Sequence, residues 1–371
     1  MTLAVSRQLR PELFFNVVAD RGPLRPGALE DLRGYLASLL SGGFPPSVSL
    51  AVVAPGGVVL EAFGGQACVV GETVPTTAGT LYDLASLTKV VCTTTLALVA
   101  RQRGALALGD PLVRWLPGYP QARTTIWHLL THTSGLVDHV PFYLTATGRG
   151  PTEAALYAEA ATSAPGEVVR YSDLNFMLLG WALEACLGRP LDQAFAAEVA
   201  APLGLVSTRF CPPVADRRST AATELDGDQR LEPGLVWGEV HDGNAYALGR
   251  VAGHAGLFSS LGDLARFVHA LLAPEPGRAL SAESIALMST RQASTGADVR
   301  GLAWRLEPEN WGTWPVGTIW HTGFTGTSLL VAPGRGTAVV LLTNSVHPHR
   351  RLDDQAVVRA TVHRLVAEAL P

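Results

Sequence analysis

The stretch Leu84-Ala85-Ser86-Leu87-Thr88-Lys89 decides how this chain is read. Of its 28 basic residues, 27 are Arg and one is Lys, at position 89. Arg keeps its proton in any protein setting, whereas Lys gives it up when desolvated or placed near another cation. A position needing only positive charge is served by Arg everywhere else in this sequence. Lys89 is therefore read as an amine that is neutral for part of a cycle. Residues three apart share a helix face, so Lys89 reaches the Ser86 hydroxyl and supplies a nucleophile with its base. The bland alternative, a surface Lys behind a chance Ser, has against it both the solitary Lys and the motifs downstream.

Working outward, the 371 residues suffice for one large or two intimate domains. At 47% hydrophobic and 16% charged, the chain can bury a sizeable core. A net charge of −4 and a pI near 6.2 give no electrostatic case for nucleic acid or an anionic membrane. Cys68, Cys92, Cys186 and Cys211 form no CxxC pair, so they read as small buried residues rather than metal ligands. The first thirty residues carry charges throughout and only a short apolar run, Leu13 to Val18, broken by Asn16. No secretory signal is visible, and a cytoplasmic location is expected. The longest charge-free span, Gly34 to Leu60, is broken by Gly42-Gly43, Pro45-Pro46 and Pro55-Gly56-Gly57, which excludes a transmembrane helix.

Residues 1–25 lack periodicity and read as an N-terminal arm. Pro26 to Leu40 is an amphipathic helix with Leu29, Leu32, Leu36, Leu39 and Leu40 on one face. Ser47–Ala54 and Val58–Phe63 form a hairpin across Pro55-Gly56-Gly57, and 64–80 is a Gly- and Thr-rich loop. Ser86 to Arg103 is β-branched enough for a strand. Its length, and the absence of charge between Lys89 and Arg101, favour a helix buried on all sides. Such a helix start places Ser86 near free N–H groups that suit a developing anion. Helices follow at Thr125–His132, Thr152–Thr162, Asp173–Leu187, Leu191–Val199 and Leu261–Leu272, and 211–250 has no readable pattern. Apolar strands at Gly317–Thr322, Ser328–Ala332 and Thr337–Thr343 precede a closing helix, Leu352–Leu370.

Strands thus lie at both ends with a helical block between. That order predicts an α+β fold: one antiparallel sheet built from both termini, flanking helices, and an inserted, mostly helical domain. The expected division is a sheet domain of 1–80 and 300–371, a helical domain of 81–299, and a site in the cleft between them.

Two further stretches suit acyl transfer. Tyr171-Ser172-Asp173 precedes a helix, in a turn where a phenol can enter a cleft. His321-Thr322-Gly323-Phe324 ends a C-terminal strand, and Gly there lets backbone approach a ligand and offer an N–H to an oxyanion. SxxK, Tyr-Ser-Asp and His-Thr-Gly, in this order and spacing, resemble the serine penicillin-recognising enzymes. Within them the chain is similar to the class C β-lactamase-like branch of β-lactamases, D-Ala-D-Ala carboxypeptidases, esterases and muropeptide amidases. Leu129-Leu130-Thr131-His132-Thr133-Ser134-Gly135-Leu136, Pro202-Leu203-Gly204-Leu205 and Gly253-His254-Ala255-Gly256-Leu257-Phe258 agree with it. The resemblance covers roughly residues 25–370.

The resemblance implies a β-lactamase-like fold with Ser86 as nucleophile, Lys89 as its proton partner and Tyr171 as the phenol that moves the proton to the leaving group. It implies an oxyanion hole of the Ser86 and Phe324 N–H groups, with Asp173, Thr322 and Gly323 beside the substrate. His321 stands where lactamases of this branch carry Lys. A neutral His holds a substrate carboxylate poorly, which ranks peptides, amides and esters above β-lactams. Asp173 stands where lactamases carry Asn, and its charge favours protonated Lys89, moving base work toward Tyr171. His254 and His241 are candidates for the cleft lining. His128 and His132 sit four apart with no acidic residue between them, so both are read as structural and no metal or other cofactor is expected.

The functional expectation is a serine hydrolase forming an acyl-enzyme on a peptidoglycan-type amide or a simple ester, its partner a small-molecule or peptide substrate. The alternatives are a true β-lactamase and, in another class, a non-catalytic penicillin- or peptidoglycan-binding protein. An α/β-hydrolase needs a GxSxG elbow, which is absent. A P-loop needs its Lys after a Gly-rich loop, and the one Lys follows Thr88.

Overall fold

Both ends of the chain contribute strands to one antiparallel sheet. The computed structural model describes residues 12–18, 24–275 and 279–371. In spatial order the main sheet runs Leu13–Val17, Gly57–Cys68, Ser47–Ala54, Thr337–Thr343, Ser328–Ala332, Ile319–Thr322, Arg305–Leu306, Asp298–Arg300 and Ala293–Thr295, with Val74–Pro75 paired to Gly57–Cys68. The seam between the termini pairs Val339 with Val52 and Leu341 with Leu50.

Side chains alternate across a strand, and here both faces are covered. Val48, Leu50, Val52, Val339 and Leu341 pack on Leu32, Leu36 and Leu40 of the helix Pro26–Gly42 and on Val358, Val362 and Leu365 of the C-terminal helix Leu352–Ala369. Ala51, Val53, Val340 and Leu342 face Leu264, Phe267, Val268 and Leu271 of the helix Leu261–Leu272. Each such Leu or Val contributes roughly 1.5–3 kcal/mol by burial, so the C-terminal helix is firmly seated. The first helix starts on Pro26, where the missing N–H costs nothing, and ends at Gly43 in the left-handed region.

The strands Ser47–Ala54, Ser328–Ala332 and Thr337–Thr343 and the helices Asp173–Leu187 and Leu261–Leu272 have the bounds their patterns gave. Other expectations fail, and the helix expected at Thr152–Thr162 runs from Arg149 to Ala158. Residues 64–80 are not all loop, because the hairpin's second strand runs on to Cys68. Gly64 and Gly65 are there for close packing: a Cβ on Gly65 would lie 2.1 Å from the Pro46 carbonyl oxygen. The N-terminal arm contains an edge strand, Leu13–Val17, paired with Leu60–Gly64, and Leu13, Phe15 and Val17 alternate inward. Residues 1–11 and 19–23 of that arm lie outside the described residues. Short strands at 293–306 extend the sheet, beginning before the boundary expected at 300. Among the cysteines, Cys68 and Cys92 are buried, but Cys186 is half-buried and Cys211 exposed, just after the short strand Arg209–Phe210. Among the described residues, no helix is long and apolar enough to cross a membrane.

The helix after Ser86 explains its own ambiguous pattern. Its turns from Lys89 to Thr94 are wide, with Thr94 Oγ1 donating to Lys89 O at 2.7 Å and Thr95 Oγ1 to Val90 O at 2.9 Å. Threonine hydroxyls thereby occupy carbonyls in turns of π-helical width, and the helix continues through Thr95–Gln102. A small sheet ordered Tyr82–Asp83, Leu257–Ser259, Arg209–Phe210 leads into its N-terminus.

Candidate active site

Ser86 sits in a turn that Asp83 builds. The buried Asp83 carboxylate accepts from Ala85 N at 2.8 Å and from His241 N at 2.6 Å. Burial raises its pKa, and those two N–H groups act against the rise. Ala85 takes a φ of +46° in this turn, and Ser86 immediately precedes the helix. The opposite strand wall is locked to the same turn. Thr325 Oγ1 donates to Asp83 O at 2.7 Å and Thr327 Oγ1 to Leu84 O at 3.2 Å. A Cβ on Gly323 would lie 2.4 Å from Leu84 O, so only glycine permits this approach. Among the described residues, neither Ser86 N–H nor Phe324 N–H is used by a hydrogen bond of the fold.

Lys89 is wholly buried. Its Nζ donates to Ser86 Oγ at 2.9 Å and to His254 O at 3.1 Å, and lies 2.7 Å from Asp173 Oδ1. Its Nζ is 5.0 Å from the Tyr171 ring centroid. Burial alone lowers the pKa of Lys89, but the fields of Asp173 and Tyr171 outweigh it and the net shift is upward. The resting site therefore holds an ammonium. For Asp173 burial opposes charge, yet Lys89 and His139 hold its pKa well below the usual carboxylate range. Its second oxygen lies 3.3 Å from His139 Nδ1, whose pKa that bond raises.

Tyr171 is held by His132. Ser172 N donates to His132 Nδ1 at 3.0 Å, and the His132 and Tyr171 rings lie 4.7 Å apart. Burial, with Arg300 and Lys89 nearby, keeps His132 neutral. His128 instead caps its own helix at Thr125, so the two histidines turn to separate partners.

His321 is also neutral, its pKa pushed well below the ordinary value by burial and by Lys89 and Arg300. Its Nδ1 lies 2.9 Å from Thr322 O, and a carbonyl only accepts, so Nδ1 carries the proton. The neutral ring thus keeps Nε2 as an acceptor. The cation absent at position 321 comes from elsewhere. Ser86, Tyr171, His321, Thr322, Gly323 and Phe324 line a cavity of about 500 Å³ together with Asp298, Arg300, Arg305, Leu352, Gln355 and Arg359. Three arginines against one aspartate leave its wall with a net charge of +2. Asp298 binds Arg300 through both oxygens and reaches Arg305 Nε at 3.3 Å. Larger grooves of about 920 and 850 Å³ elsewhere contain no serine beside a lysine.

Ser86, Lys89, Tyr171 and Asp173 are thus brought together, with His321, Thr322, Gly323 and Phe324 across the cavity. His241 and His254 do not line it. His241 stacks behind the Phe324 ring at 5.6 Å and bonds to Glu224 at 2.9 Å. His254 is buried behind Lys89 and bonds to Asp242 at 2.8 Å. Sequence reading missed Arg300, Arg305, Arg359, Gln355 and His139. Asp298 and Arg300 are two apart on one strand, the spacing that faces them the same way, but the strands there are two or three residues long and interrupted by Gly301.

The family model of the β-lactamases matches residues 36–363. A provisionally named D-alanyl-D-alanine carboxypeptidase of Escherichia coli (strain K12) is 29% identical, over 90% of this chain and 87% of its own. Among solved structures, EstCE1, a hydrolase with promiscuous acyltransferase activity, superposes with a TM-score of 0.75 at 24% identity, covering 92% of this chain and 98% of its own. A class C β-lactamase gives the same TM-score of 0.75 at 19% identity, covering 96% and 99%. Those two likenesses speak to the fold. The family match over most of the chain, with a mixed sheet-and-helix fold to suit it, establishes that this protein belongs to the β-lactamase family of serine hydrolases.

Proposed function

We propose that this protein cleaves an amide bond next to a free carboxylate, as at the end of a D-alanyl-type peptide, through an acyl-enzyme on Ser86. The Ser86 hydroxyl attacks the carbonyl as its proton passes to the Tyr171–Lys89 pair. The Ser86 and Phe324 N–H groups take up the charge on the carbonyl oxygen. Collapse expels the amine, which receives its proton from Tyr171, and water then releases the acyl group and frees Ser86. Lys89 rests as an ammonium, so it gives up a proton before the pair can take that of Ser86, and Tyr171 passes the proton on to the leaving amine.

The observation that carries the substrate class is the +2 charge of the cavity wall. Arg305, the more exposed of the Asp298 pair, offers a fixed fork for a carboxylate. The name borne by the Escherichia coli relative points the same way. A simple ester is the second reading, favoured by an apolar lip of Phe324 and Leu352, 40% and 48% exposed.

The test compares an N-acylated peptide ending in D-Ala-D-Ala with its C-terminal amide. The expected result is a kcat/KM at least tenfold higher for the acid, about what one charge-assisted hydrogen bond provides. Equal values, alongside rapid turnover of p-nitrophenyl acetate, would move the assignment to esters.

A further inference from the structure

One cation of the cavity wall has a partner that the reaction above does not use. Arg359, on the C-terminal helix, is half-buried and has no carboxylate paired with it among the described residues. Its Nη2 donates to Gly323 O, and its Nε is buried without a partner. Burial brings its pKa down to about 10, so it remains charged at neutral pH. Drawing a cation partly out of water without a counter-charge is costly, and a neutral side chain could fill this space.

The oxygen it holds belongs to the peptide unit that ends in Phe324 N–H. In a trans peptide the C=O and the N–H point opposite ways, and this bond is trans. Fixing Gly323 O therefore fixes the direction of Phe324 N–H. The same oxygen accepts from Gly326 N at 3.1 Å, closing the turn. One helical turn before Arg359, Gln355 Nε2 donates to Phe324 O at 2.9 Å and holds the next peptide plane. A positive charge at a carbonyl also draws electrons from its amide and strengthens the N–H as a donor. The helix that delivers Arg359 is seated in the sheet core by Val358 and Val362, so the grip is rigid.

We propose that Arg359 is a positioning residue for the oxyanion hole: its guanidinium orients and polarises the Gly323–Phe324 peptide, so that Phe324 N–H meets the anion developing on the substrate carbonyl. This rests on the acyl-enzyme reading of Ser86. It is distinct from carboxylate binding, because it acts on substrates that have no carboxylate.

The test uses such a substrate, p-nitrophenyl acetate, with wild type, Arg359→Met, Arg359→Lys, Arg359→Gln and Ser86→Ala. Phenylboronic acid, which forms a tetrahedral anion on a nucleophilic serine, is titrated in parallel. Losing an oxyanion donor outright costs 10²–10³ in kcat, and here the donor is kept but misdirected, so Arg359→Met should lose roughly 10- to 100-fold in kcat with KM within about twofold. Arg359→Lys should recover most of the loss, and phenylboronate affinity should fall in step with kcat. If Arg359→Met does not fold, Arg359→Lys should still exceed the neutral donor Arg359→Gln by about tenfold.

A kcat for Arg359→Met within about twofold of wild type would overturn the proposal, as would a loss confined to KM or a Lys variant no faster than Gln. Ser86→Ala separates the two levels. If it is silent, the acyl-enzyme reading stands whatever Arg359 does. If it turns over like wild type, that reading falls and this one with it.

Discussion

On the wall that carries Ser86, the buried cation Lys89 meets a carboxylate at 2.7 Å, and that carboxylate meets a histidine at 3.3 Å. On the facing strand wall, two of three arginines share one aspartate, and among the described residues the third, Arg359, grips backbone instead of a carboxylate. The two walls are separated only by the cavity they line. The first keeps its charges matched, so the proton shared by Ser86, Lys89 and Tyr171 can move without an uncompensated charge. The second leaves positive charge unmatched, where a substrate carboxylate and a developing oxyanion can use it. On the proposed reaction, chemistry and recognition are divided between the wall that carries Ser86 and the edge of the sheet.

The division breaks most visibly if Lys89 is removed. Lys89→Met leaves Asp173 charged and half-caged in the interior, which should cost about 3–5 kcal/mol, read as a fall in the thermal midpoint together with loss of acylation. Lys89→Arg keeps the charge but cannot release a proton, so the fold should persist while acylation drops by roughly 10³-fold. An arginine variant as fast as wild type would mean that the wall needs only a cation.

Asp173→Asn sharpens the same contrast by removing only the counter-charge. The carboxylate raises the Lys89 pKa, so its loss must lower it. The inflection at which Lys89 deprotonates in the kcat/KM profile should move to lower pH. An unmoved profile would show that Lys89 does not titrate in the rate-limiting step.

On the strand wall, Arg305→Gln should raise KM about tenfold for peptides with a free carboxylate and leave neutral esters unchanged. Equal effects on both substrates would contradict the recognition role.

The smallest effect concerns stability. His321 is held neutral on the strand wall and His363 beneath it, the latter with its pKa lowered to about 3 by burial. Folded values below the unfolded value of 6.5 mean the unfolded chain binds more protons below pH 6.5. Stability is then fully present above that pH and lost as pH falls, by up to about 1.4 kcal/mol per pH unit for each histidine. His363 stacks on Trp311 at 4.2 Å, so His363→Phe should keep the packing and flatten the slope of unfolding free energy between pH 6.5 and 5. A slope unchanged by that substitution would place the titration elsewhere.

The helical wall was more legible than the strand wall, for a physical reason. Ser86, Lys89, Tyr171 and Asp173 lie on or just before helices whose starts and periodicity can be read, and a solitary Lys among 27 Arg marks itself. Arg300 and Arg305 lie on strands too short to show alternation, and Arg359 is one polar residue on an otherwise amphipathic helix. What singles it out is the Gly323 carbonyl 36 residues earlier, a pairing no local pattern encodes. His241 and His254 illustrate the reverse error. Both sit in glycine- and aspartate-rich turns that resemble cleft loops, but their rings are spent on Glu224 and Asp242 behind the walls.

The most direct measurement is intact-protein mass spectrometry of wild type and Ser86→Ala, each incubated with a fluorophosphonate and, separately, with a penicillin. Wild type should take one stoichiometric adduct from each probe and Ser86→Ala none, since penicillin carries the carboxylate that the strand wall is charged to hold. A fluorophosphonate adduct that persists in Ser86→Ala, or none on wild type, would contradict an acyl-enzyme on Ser86.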